Sequence, residues 1–221
     1  MEDLAQAAVE AALDSGATFA DVRIENTVTT IIEMSDGVTK RSLASRLRGA
    51  GIRAFVDGAW TFGQTTDLSP KGMRDTGVSL GRLAVATKSK VVERFDIDGP
   101  TFKDRVEYKV KTPFEDISFE DKMAFTKMID DQAKSFDNRI VNTRTIYGDL
   151  WTRMYTANSL GTSVWSETSL PRIISVSFAK DGTSRRTENK EIQLNITQQF
   201  TKHYSSLYFR CQNTLCHFRP S

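Results

Sequence analysis

The chain has 221 residues, a net charge of +2, and 39% hydrophobic and 26% charged residues. That is an ordinary globular composition, long enough for one large domain or two small ones. It contains no run of about 18 apolar residues, so no membrane span is expected. Glu2 and Asp3 stand where a secretory signal would carry basic residues, so a cytoplasmic location is expected. Lys202, Arg210 and Arg219 give the last thirty residues +3 with no acid, which leaves residues 1–191 at −1. Nucleic-acid binders gather Lys and Arg on one face, so that partner is not expected.

In chain order, residues 2–14 form an alanine-rich helix with Leu4, Ala8, Val9, Ala12 and Leu13 on one stripe, ended by Ser15-Gly16. Phe19 to Glu25 alternates, with Val22 and Ile24 opposite Arg23 and Glu25. Val28 to Met34 is a second β-rich run. Asp36-Gly37 signals a type I′ hairpin turn, with Val38 to Ala44 as the returning strand. Gly51 to Val56, Asp57-Gly58 and Ala59 to Thr66 repeat the pattern. Ser69 as cap and Pro70 at the first helical position open a helix to about Lys90. Its buried side is assigned to Met73, Leu80, Leu83, Ala84 and Thr87. Gly72, Gly77 and Gly81 weaken it by about 1 kcal/mol each relative to Ala, which implies close packing on the sheet or a shifted boundary.

Val91 to Ile117 is polar and carries Gly99-Pro100 and Thr112-Pro113, a linker or long excursion. Ser118-Phe119-Glu120-Asp121 is a capping-box-like start, and Phe119, Met123, Ile129, Ala133 and Phe136 carry a helix to about Ser135. Arg139 to Tyr147, Leu150 to Ala157, Thr162 to Ser166 and Ile173 to Lys180 have strand patterns, with turns at Asn158-Ser159-Leu160-Gly161 and Asp181-Gly182. The expected fold is α+β: helices packed on a mixed or antiparallel sheet with hairpins, then a β-meander and an irregular C-terminal tail. The expected division is an N-terminal α/β domain over 1–92, the linker or excursion over 93–117, helix plus meander over 118–191, and an atypical tail over 192–221.

The tail is compositionally distinct. Ile192 to Ser221 has neither acid nor glycine, yet it holds His203, Cys211, Cys216 and His217. These are soft metal-binding side chains, but four residues separate the cysteines, and adjacent Cys216 and His217 would need a distorted backbone to share a zinc. Elsewhere, Glu120, Asp121, Asp130 and Asp131 fit a solvated helix face better than paired catalytic carboxylates. Trp60, Trp151 and Trp165 fit sheet-core packing better than a peptide groove. Ser159 has no nearby His to activate it, and Gly49-x-Gly51 leads into a strand rather than a dinucleotide-binding helix. No catalytic, cofactor-binding or metal-binding residue is assigned.

Several segments together resemble the N-terminal region of the TldD/PmbA family of zinc metallopeptidases, also described as modulators of DNA gyrase. They are Ser15-Gly16-Ala17-Thr18-Phe19-Ala20-Asp21-Val22-Arg23, Ser35-Asp36-Gly37, the Gly49 to Gly63 block, Leu83 to Ser89, Asn158-Ser159-Leu160-Gly161 and Val176 to Gly182. The Gly49 to Gly63 block is the most specific, and the resemblance fades before Glu191. It implies that hydrolysis belongs to a later region, where a helix bearing His-Glu-x-x-x-His brings zinc ligands and a base to one face. This chain has no such motif. His203 is followed by Tyr-Ser-Ser-Leu-Tyr and His217 by Phe-Arg-Pro-Ser. The expectation is an N-terminal part truncated before its zinc motif and inactive alone, with zinc reserved for complete members. Two alternatives stand beside it: a non-catalytic partner subunit, and a binding module with a Cys/His zinc tail. The partners implied are a peptide or protein substrate and a homo- or hetero-oligomer with a family member.

Overall fold

The computed structural model describes residues 1–107, 114–181 and the backbone of 184–192. Within them the elements are α1 (Glu2–Asp14), β1 (Phe19–Ser35), β2 (Val38–Val56), β3 (Ala59–Thr65), α2 (Pro70–Thr87), β4 (Lys103–Val106), α3 (Phe119–Ser135), β5 (Ile140–Asn158), β6 (Ser163–Asp181) and β7 (Ser184–Ile192). The chain divides into two compact units, each assembled from three stretches. The first takes residues 1–28, 46–107 and 151–168. The second takes 29–45, 114–150 and 169–181 with β7. Strands β1, β2, β5 and β6 contribute to both.

In the first unit the strand order is β3-β2-β1-β5-β6-β4. Both hairpin turns adopt the geometry their Asp-Gly pairs dictate. Asp36 and Gly37 have φ of 51° and 74°, and Asp57 and Gly58 have 48° and 88°, the positive values that a type I′ turn requires. The second turn sets the register of β2 on β3, from Val56 opposite Ala59 to Ala50 opposite Thr65. Helix α1 ends in a Schellman motif, with Gly16 N–H on Leu13 O at 2.9 Å and Ala17 N–H on Ala12 O at 3.1 Å. Helix α2 starts on the Ser69 hydroxyl, which accepts from Gly72 N–H at 3.0 Å.

The core of this unit joins Ala5, Ala8 and Ala12 of α1 and Met73, Leu80 and Ala84 of α2 to Val22, Ile24, Ile52 and Ala54 of the sheet. The α2 glycines owe their place to this packing, though the close neighbour is helix α1 rather than the sheet. A Cβ on Gly77 would lie 2.3 Å from Ala8 O, and one on Gly81 2.4 Å from Ala12 O. Leu83, assigned to the buried side, is 49% exposed. The buried stripe runs through Met73, Gly77, Leu80, Gly81 and Ala84, one notch away.

The excursion after α2 returns as β4, which pairs parallel with β6 from Lys103 opposite Ser163 to Val106 opposite Ser166. The four expected strand segments after Arg139 are two continuous strands of 19 residues each, β5 and β6. Gly148 and Pro171 fall between those segments, and neither interrupts the chain direction. Pro171 is tolerated because β4 leaves β6 at Ser166 and β7 joins it only at Ile173, so no described strand needs β6 amide donors on that edge between them.

In the second unit α3 covers the sheet through Phe125 and Ile129, which meet Ile32, Met34, Tyr147, Ile173 and Phe114. The Ser118 cap forms as expected, accepting from Asp121 N–H at 3.0 Å.

Candidate functional site

In the first unit, strand alternation sends Val22, Ile24, Ile52 and Ala54 into the core and their neighbours to the opposite sheet face. There Asp21, Arg23, Gly51, Arg53, Phe62 and Met154 are among the residues lining an open groove of about 1110 Å³. Glycines at 49 and 51 leave its floor flat, and Phe62 stands against Gly51. Arg53 grips Asp21 in a fork, Nε to Oδ1 at 3.0 Å and Nη2 to Oδ2 at 2.5 Å. The same guanidinium lies 5.1 Å from the ring centroid of Trp60. Trp60 is therefore not a core residue: it is 44% exposed and completes an aromatic edge with Phe55 at 5.0 Å and Phe19 at 5.9 Å. Trp151 is buried, its indole donating to Glu167 at 2.6 Å, and Trp165 packs against the apolar core.

The second unit holds its polar groups inside. Lys122 Nζ lies 2.9 Å from Asp149 Oδ2, with the two side chains 5% and 2% exposed. Tyr147 donates its hydroxyl to the same carboxylate at 2.6 Å, and Lys122 reaches Thr30 Oγ1 at 3.3 Å. Burial pushes the Tyr147 pKa up, and the Asp149 charge adds to it, so the phenol keeps the proton it donates. Asp130, expected on a solvated face, is fully buried. It accepts from Gly37 N–H at 2.6 Å and from the Thr145 hydroxyl at 2.8 Å. Asp36 binds Lys134 at 2.8 Å, Thr143 N–H and Asn142, and the Lys134 hydrogen bond holds its carboxyl below the usual value.

Charge ordinarily implies surface, which hides Lys122, Asp130 and Asp149 from a sequence pattern. One signal was present. The spacing 122, 125, 126, 129, 130, 133 is a helical stripe, and its Phe125, Ile129 and Ala133 are apolar.

Chemically, both buried carboxylates are committed to donors within the fold. Ser159, whose hydroxyl accepts from Ala20 N–H at 3.1 Å, is likewise occupied as a tie between strands. Among the described residues no group of three His, Cys, Asp or Glu side chains converges to hold a metal. His203, Cys211, Cys216 and His217 lie outside the described residues.

Residues 20–84 match the model for domain 1 of PmbA/TldA metallopeptidases, and residues 112–193 match that for the central domain of the same proteins. The chain belongs to the TldD/PmbA family. Solved structures carry the same fold. One is a candidate modulator of DNA gyrase from Bacteroides thetaiotaomicron, with TM-score 0.67, 20% identity, and coverage of 90% of this chain and 48% of that one. Another candidate modulator, from Thermotoga maritima, gives TM-score 0.67 and 17% identity, covering 88% of this chain and 44% of its own. TldE from Thermococcus kodakarensis gives 0.63 and 12%, covering 89% and 45%. No curated protein sequence matches. This TldD/PmbA chain thus spans less than half the length of each of these relatives. The family name implies zinc, and the described residues do not fit it, since they contain neither His nor Cys and their buried acids are already paired.

No described helix is long and apolar enough to cross a membrane.

Proposed function

We propose that this chain is the scaffold portion of a TldD/PmbA-type metallopeptidase, without hydrolytic activity of its own, located in the cytoplasm and paired with a second family member. The supporting observation is the combination of matches to the first and central domains with a sequence that lacks His-Glu-x-x-x-His. In complete enzymes the zinc supplies an activated water. Here the chain contributes the sheet and the groove that face an unfolded peptide substrate.

Incubating the purified chain with unfolded casein and added zinc tests the reading. No cleavage above the buffer rate is expected. Zinc-dependent cleavage that a chelator abolishes contradicts it. Reading the coding sequence downstream separates truncation from a partner role, because a shifted frame encoding His-Glu-x-x-x-His establishes the former.

A further inference from the structure

We propose that the outer edge of β2 over residues 38–45 is a docking strand for an extended acidic peptide segment. This inference does not depend on the peptidase reading. All eight side chains from Val38 to Ser45 are exposed, on both faces of the strand. Along this stretch β2 has β1 as its only described strand neighbour, because β3 joins β2 only from Ala50 onward. The other edge therefore offers a row of backbone donors and acceptors, the template that β-augmentation uses. Neither proline nor glycine interrupts it.

The strand is also held ready. The turn that starts it is tied down by Asp130 on Gly37 N–H at 2.6 Å and by Lys134 on Asp36 at 2.8 Å. A pinned edge loses little freedom when a partner adds, which favours binding. Charge selects the partner. Lys40 and Arg41 fall on opposite faces by alternation, and no acid occurs between residues 38 and 45. An incoming strand with acids on both faces meets a cation on each, while Val38 and Leu43, 55% and 38% exposed, offer apolar contact. A second copy of the same edge instead sets cations against cations, which disfavours self-pairing.

The experiment uses short capped peptides of alternating glutamate and valine, labelled for anisotropy, with hydrogen exchange on the intact chain. Saturable binding is expected, together with slowed exchange of the alternate amides of residues 38–45. A lysine–valine peptide, and a glutamate–valine peptide N-methylated at alternate amides, should bind at least about tenfold more weakly. The exposed pair Lys40→Glu/Arg41→Glu should weaken the acidic peptide by a similar factor, while Lys71→Glu on α2 leaves binding unchanged. Equal binding of the N-methylated peptide, or protection at another segment, overturns the proposal. So does protection of residues 38–45 by a DNA duplex, or protection that rises with protein concentration and no peptide.

Discussion

The two units of this protein solve the same problem, a helix layer on a sheet, with opposite chemistry. In the first, α1 and α2 meet through alanine and glycine, close enough that Gly77 and Gly81 have no room for a Cβ. In the second, α3 presents Lys122 and Asp130 to the sheet, and the sheet answers with Asp149, Tyr147 and Thr145. The first arrangement depends on shape, and its failures are steric. The second depends on complete pairing, because a buried charge without its partner costs far more than the pair itself contributes.

The largest expected effect therefore lies in the second unit. Lys122→Met leaves Asp149 buried and uncompensated, and should lower the unfolding free energy by about 4 kcal/mol in urea titrations. The double variant Lys122→Met/Asp149→Leu should recover most of that loss. If the single variant unfolds at the parent's midpoint, the ion pair does not hold this unit together. The next effect belongs to the first unit. Gly77→Ala gains about 1 kcal/mol of helix propensity but drives a methyl into Ala8 O, and a net loss of about 2 kcal/mol is expected. A stabilised variant would show that α1 and α2 are less tightly apposed than described.

The smallest effect is a matter of pH. Hydrogen bonds from Arg139 hold the half-buried Asp137 carboxyl at about 2, below its ordinary 3.8. A carboxyl depressed in the folded state stabilises it above pH 3.8, and the benefit disappears as pH falls towards 2. Asp137→Asn should flatten the acid limb of the stability profile between those values, lowering stability at neutral pH and leaving it unchanged below about pH 2. A limb of unaltered slope would assign acid sensitivity to other carboxylates.

What the sequence revealed and what it hid follow the same division. Local chemistry was legible: the Asp-Gly turns, the Ser69 and Ser118 caps, and the alanine stripe of α1 all depend on neighbours within a few residues. The Gly49 to Gly63 block carried the family resemblance for a related reason, since its glycines mark the flat groove floor and a tight turn. Long-range pairing was not legible. Lys122 and Asp130 are indistinguishable from surface residues until Asp149 and Thr145 arrive from β5. A large, apolar indole points Trp60 to the core, and only the placement of Arg53 and Phe55 shows it standing at an exposed edge. The gaps expected between Tyr147 and Leu150 and between Ser166 and Ile173 arise because pattern alone does not reveal which edge of a strand has a neighbour.

Metal chemistry residing outside this chain is the central claim, and zinc content is its most direct measure. Elemental analysis of the purified chain after exhaustive dialysis should find far less than one zinc per polypeptide, unchanged by Cys211→Ser. One tightly held zinc per chain, lost on that substitution, would contradict it and assign the Cys/His tail a metal site.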